Sequence, residues 1–199
     1  MQWRDAIGVI TDLGDSALLI PLSALVVLYL LWRKAARGAA IFTSALALCA
    51  GLTLVLKIGF HACGGEAPLI DIHSPSGHAS LSTTFYNCSA LLIAGDRDRW
   101  TRLSVLAVSA ALAAAIAASR VVVQAHTGSE VILGLLIGAG CVAWFGWRYF
   151  DGPTASLPWQ LPLLGFLAFV VATHGWRINV EAVLATLASM LQSKIPICS

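Results

Sequence analysis

Residues 16–60 read SALLIPLSALVVLYLLWRKAARGAAIFTSALALCAGLTLVLKIGF, two apolar runs parted by Arg33, Lys34 and Arg37. A helix needs roughly 20 mainly apolar residues to cross a bilayer, with a range of about 17–25. Both runs meet that requirement, and the alternation of apolar run and charged break continues down the chain. Six segments qualify as spans: 16–32, 38–60, 77–94, 103–118, 129–150 and 159–173. Asp15 is placed to cap the first, and Pro21 falls close enough to its start to be tolerated. The third is unusually polar at its beginning. The predicted fold is an all-α, polytopic membrane bundle forming a single integral membrane domain over residues 1–199.

Composition agrees. Of 199 residues, 58% are hydrophobic and 11% charged, with a mean hydropathy of +0.83. A soluble domain carries about 25% charged residues, so the bilayer must solvate most of this surface. The net charge of +2 comes with no polybasic tract, which argues against nucleic-acid binding. The opening MQWRDAIGVITDLGD lacks the basic region and small-residue cleavage site of a secretory signal. The first run is therefore expected to stay in the membrane. Trp3, Ile7 and Ile10 fall at helical spacing, which fits either a short interfacial helix or a frayed end. The tail, 175–199, has apolar residues at helical spacing from Asn179 to Lys194 but is broken by Glu181, Ser189 and Gln192, and reads as an interfacial helix in preference to a seventh span.

Basic residues near span ends favour the cytoplasmic side. Connection one carries Arg33, Lys34 and Arg37, connection three Arg97, Arg99 and Arg102, and connection five Arg148. Connection two has only Lys57 and connection four only Arg120. Connections two and four, and both termini, are therefore expected to face outward. Tryptophans 32, 100, 144, 147 and 159 suit an interfacial belt.

The two outward connections hold the reactive residues. Connection two reads KIGFHACGGEAPLIDIHSPSGH (57–78), and connection four SRVVVQAHTGSE (119–130). Together they offer Lys57 and Arg120 as cations, histidines at 61, 73, 78 and 126, and the Glu130 carboxylate four residues past His126. Ser76 and Gly77 open a helix, whose unpaired N–H groups favour an anion. An arginine fork suits phosphate oxygens. One neutral imidazole can attack phosphorus and a second, protonated, can supply the leaving group with its proton. Glu130 stands where it can orient His126. Blander roles compete: a snorkelling Lys57, a simple helix cap at residues 76–78, a headgroup anchor at Arg120, and solvated loop histidines at 61 and 73.

These residues resemble the type 2 phosphatidic acid phosphatase family, which shares a helical core with vanadium haloperoxidases. That family carries K-x6-R-P, P-S-G-H and S-R-x5-H-x3-D. Here Pro75-Ser76-Gly77-His78 is intact, and Ser119-Arg120 precedes His126 by the same spacing. The resemblance covers residues 57–138. Gly64-Gly65 stand where the first motif has Arg-Pro, and Glu130 where the last has Asp. The resemblance implies His126 as nucleophile, His78 as general acid and Glu130 as its orienting partner. Lys57, Ser76, Gly77 and Arg120 would hold the phosphate, with His61 and His73 as accessory candidates. The implied activity is metal-independent hydrolysis of a lipid-linked phosphate monoester or diphosphate through a phosphohistidine. The alternatives are lipid-to-lipid phosphotransfer and non-catalytic lipid-phosphate binding. No cofactor is expected, and the histidine spacing lacks the partners of a compact metal site.

The expected setting is a bacterial inner membrane, with the site facing the periplasm. The expected partners are membrane lipids and a lipid-phosphate substrate. Cys49, Cys88 and Cys141 read as apolar fillers, while Cys63 and Cys198 could bridge on the outer face.

Overall fold

The computed structural model describes residues 2–62, 74–95, 97–154, 157–158 and 160. Six helices are found among them: α1 (Gln2–Asp12), α2 (Ser16–Trp32), α3 (Ala36–Ala62), α4 (Gly77–Ala94), α5 (Arg99–Val122) and α6 (Gly128–Phe150). The protein is an all-helical membrane bundle. The expected sixth span (159–173) apart from residue 160, the tail, His73, the His61 side chain, Cys63 and Cys198 lie outside the described residues.

Local signals set the helix ends. The Asp15 carboxylate accepts from the Ala17 N–H (2.8 Å) and starts α2. Ser76 caps α4, and Asp98 caps α5 through bonds from the N–H groups of Trp100 and Thr101. The Asp98 cap explains why α5 begins four residues before the apolar run expected at 103–118. Helical hydrogen bonds continue wherever a cap supplies the orphan donors, whatever the hydropathy. Pro21 leaves α2 unbroken.

Among the described residues, three helices are long and apolar enough to cross a membrane alone: Ala36–Phe60 within α3, then α5 and α6. Helix α2 is also apolar but has 17 residues. Helix α4 differs for a physical reason. It is the central element, packed against α2, α3, α5 and α6, so its polar stripe faces protein instead of lipid. Ser80, Ser82, Thr83, Thr84 and Ser89 are all buried there. Exposed leucines and valines on the outer helices, such as Leu28, Val55, Val108 and Leu136, face outward where lipid solvates them.

The two ends of the bundle are built differently. At one end Phe42, Phe85, Phe145 and Tyr149 form an aromatic core, with Phe145 stacked on Tyr149 at 5.1 Å between centroids. The Arg37 guanidinium donates to the carbonyls of Tyr149 (3.2 Å) and Arg148 (2.6 Å), closing the C-terminus of α6. Leu157 donates to the Leu92 carbonyl, so connections one, three and five share this end. Trp32, Trp100 and Trp147 are exposed around it, as a belt requires. Trp144 is an exception to the expected belt, because its ring packs against the core cluster.

At the other end, α4 and α6 approach unusually closely. A Cβ on Gly134 would lie 2.6 Å from the Ser76 carbonyl oxygen, and one on Gly138 would lie 2.7 Å from Thr83 Cβ. Gly134 and Gly138 form a G-x3-G stripe, the spacing that lets two helix backbones touch in lipid. Cys49, Cys88 and Cys141 are buried free thiols in the bundle.

Candidate active site

The Gly134 contact sets the start of α6 against the start of α4. There the Ser76 N–H donates to the Glu130 carbonyl (3.1 Å). The Glu130 carboxylate is buried and joins both connections. Its Oε1 accepts from the Ser74 N–H (2.7 Å). Its Oε2 accepts from the Thr127 N–H (3.2 Å) and contacts His126 Nδ1 at 2.8 Å. Three donors on one carboxylate satisfy an anion that would otherwise be costly to bury. With Nδ1 donating, the lone pair of His126 lies on Nε2, on the far side of the ring.

Thr127 and Glu130 form a capping box: the Glu130 N–H donates to Thr127 Oγ1 (3.4 Å) while the carboxylate reaches back to the cap. This accounts for glutamate at a position where the resembled motif has aspartate. The longer side chain reaches the cap N–H, His126 and Ser74 together. T-x-x-E is the signal that reveals this in the sequence, and it went unread there.

Arg120 and His126 are linked through the backbone. Helix α5 ends in a Schellman turn, with Gln124 in the left-handed region (φ 56°). The Ala125 and His126 N–H groups both donate to the Arg120 carbonyl, at 3.0 and 3.3 Å. Arg120 is 9% exposed, and its Nε has no hydrogen-bond partner among the described residues. A buried guanidinium N–H without an acceptor is costly. An anion would satisfy it.

Ser76 is fully buried, and its hydroxyl accepts from the Ala79 N–H (3.4 Å), so the cap role is real. Its hydroxyl hydrogen is still a donor. A methyl on Gly77 would meet nothing within 4 Å, so this side of the first turn of α4 is open among the described residues. Thr53 Oγ1 lies 3.0 Å from Ser80 Oγ and fixes the register of α3 against α4. Lys57 stands four residues beyond Thr53, about 6 Å of helix rise, level with that open turn. His78, in the same turn, packs against the α1–α2 junction, where a Cβ on Gly14 would sit 3.5 Å from its Cβ and Cδ2. His126 is nearly buried, with 7% of its side chain exposed.

The structure therefore gathers Ser76, Gly77, His78, Arg120, His126 and Glu130 at one end, with Lys57 at the same level. Residues 11–14, which also reach this end, were not singled out from the sequence. Their contacts are with residues up to 108 positions away, and no local pattern marks them.

The chain is 32% identical over 146 residues to an uncharacterized 22.5 kDa protein in the cps region of Klebsiella pneumoniae. That alignment takes in 73% of this chain and 68% of the relative. No solved structure matches the chain. The PAP2 superfamily model matches residues 38–153, from the start of α3 to just past α6, and so includes every residue gathered at this end except those before α3. By that match the chain belongs to the PAP2 superfamily, membership that indicates a phosphatase-type activity.

Proposed function

We propose that the protein hydrolyses a lipid-linked phosphate monoester or diphosphate through a phosphohistidine on His126, at the outer face of a bacterial inner membrane. The observation that carries this reading is the Glu130 carboxylate. One oxygen holds His126 Nδ1 and the other holds the loop leading to Ser76–His78. In this reading Nε2 is the nucleophilic nitrogen, at the bundle end that also holds the start of α4 and the Arg120 Nε.

The steps follow from these groups. The substrate phosphoryl group sits over the first turn of α4, with Arg120, Lys57 and the Ser76 hydroxyl on its oxygens. The His126 Nε2 lone pair attacks phosphorus, and the bond to the lipid oxygen breaks. Protonated His78 gives its proton to that leaving oxygen. The imidazolium formed on His126 is stabilised by Glu130, as in a charge-oriented nucleophile–carboxylate pair. Water then attacks phosphorus and loses its proton to neutral His78. The P–N bond breaks, releasing phosphate and restoring both histidines. The lipid tails can stay in the bilayer throughout, because the site lies at the end of the spans. The basic connections at the opposite end support the outward orientation.

The test is phosphate release by purified protein from phosphatidic acid and a polyprenyl diphosphate, with and without chelator, beside trapping of an acid-labile phosphoprotein. His126→Ala should lower release on the order of 10³-fold or more, and His78→Ala about 10²–10⁴-fold. Chelator should change nothing. Wild-type release from His126→Ala protein would sink this reading. Stoichiometric phosphorylation of an acceptor lipid, with little free phosphate, would favour phosphotransfer instead.

A further inference from the structure

The family match begins at residue 38, so α1 and α2 lie outside it. Yet the junction between them is wedged into the site. Thr11 Oγ1 donates to Ser119 Oγ (2.8 Å), the residue just before Arg120. The Tyr86 hydroxyl of α4 donates to the Leu13 carbonyl (2.8 Å). Gly14 then lies against His78 and Ile116 so closely that a Cβ would stand 2.5 Å from Ile116 Cγ2. Two hydrogen bonds, one to each neighbouring helix, thus hold a residue without a side chain against the edge of an imidazole.

The edge concerned is the carbon edge, Cβ–Cδ2. Turning the ring over would bring Nδ1 to this wall, where it meets the Gly14 Cα–H side, the Gly14 N–H being already donated to the Thr11 carbonyl (3.0 Å). A ring nitrogen facing apolar atoms loses its hydrogen bond, which is unfavourable. The wall therefore selects the ring orientation that keeps Nδ1 away from it.

We propose that the Thr11–Gly14 junction is a positioning element for His78, setting the ring orientation from which it donates a proton to the leaving group. Gly14 is the positioning residue. Thr11 and Tyr86 hold it in place. This rests on the phosphatase reading above and adds that residues outside the family core tune its acid step.

The consequence is specific to the leaving group. An alkoxide needs a proton as it departs, whereas a nitrophenolate, a much weaker base, needs little help. Two probes separate the cases: decyl phosphate, and a nitrophenyl phosphate bearing a decyl chain. Gly14→Ala, Thr11→Val and Tyr86→Phe are compared with wild type by kcat/KM, which reports the first phosphoryl transfer. For decyl phosphate each should fall about tenfold or more, and for the nitrophenyl ester less than about threefold. Adding Ile116→Leu to Gly14→Ala vacates the Cγ2 position and should restore much of the decyl phosphate activity. Thr11→Val and Tyr86→Phe each remove one hydroxyl, so they keep the test decisive if Gly14→Ala fails to fold. Equal losses on both substrates, or none on either, would overturn the proposal. A wild-type protein inactive on both probes would overturn the phosphatase reading, and this inference with it.

Discussion

Replacing Gly134 by alanine should damage catalysis more than folding. The added methyl would stand 2.6 Å from the Ser76 carbonyl oxygen and 3.1 Å from Ala79 Cβ. To restore ordinary contact, α6 and the cap of α4 must separate by roughly 0.8 Å, and since the obstacle is backbone, no rotamer change relieves it. Overpacking of this kind costs about 1–3 kcal/mol, an amount a bundle can absorb. The site has less tolerance. The separation pulls on the 3.1 Å bond from Ser76 to Glu130, and with it on the spacing between the α4 N-terminus and His126. A displacement near 1 Å can cost on the order of 10²-fold, so kcat/KM for a lipid phosphate should fall between about 10- and 100-fold. Gly140→Ala is the control, because a methyl there meets nothing within 4 Å. It should stay within about twofold of wild type. The assay is phosphate release in detergent micelles, read beside thermal unfolding of each variant. Wild-type kcat/KM in Gly134→Ala would refute the claim that this close approach sets the site. Equal damage in Gly140→Ala would trace the effect to the helix itself.

Other outcomes follow from the same geometry. Glu130→Gln keeps the size of the side chain but not its charge, and should slow phosphoprotein formation about 10²–10⁴-fold in rapid-quench labelling. Arg120→Lys keeps the charge but loses the fork, and should lower kcat/KM about tenfold or more, with part of the loss in KM. Gln124→Cys, with Cys63 and Cys198 replaced by serine, should react with an impermeant maleimide in intact cells. Labelling only after permeabilisation would reverse the orientation. Hydrogen bonds from the Thr101 hydroxyl, and then from backbone N–H groups, hold the exposed Asp98 carboxyl below its ordinary 3.8. Its capping of α5 is therefore complete above that value and fades as pH falls through the lowered one. Protection of the Trp100 and Thr101 amides, taken relative to their intrinsic exchange rate at each pH, should fall only below that ordinary value, and protection unchanged there would discount the cap.

Much of this protein is one-dimensional information. Asp15 and Ser76 mark helix starts because a cap needs only the residues that follow it, and the spans over 16–32 and 77–94 coincide with α2 and α4. The charged breaks at Arg33, Lys34 and Arg37 and at Arg148 determine which ends lie together, since each crossing reverses the chain. P-S-G-H and S-R-x5-H therefore had to share an end of the bundle. Tertiary structure decided how closely they meet. Gly134 looks like any small residue of a lipid-packed helix until the Ser76 carbonyl is found above it. Glu130 looks like a partner for His126 alone until its second oxygen is found on Ser74. Thr11 and Gly14 carry no motif at all, and Arg120 shows its unsatisfied Nε only once it is buried. The physical reason is common to all five. Helix formation and membrane insertion depend on neighbours a few residues away, whereas these contacts depend on which faces of separate helices touch, and at what separation.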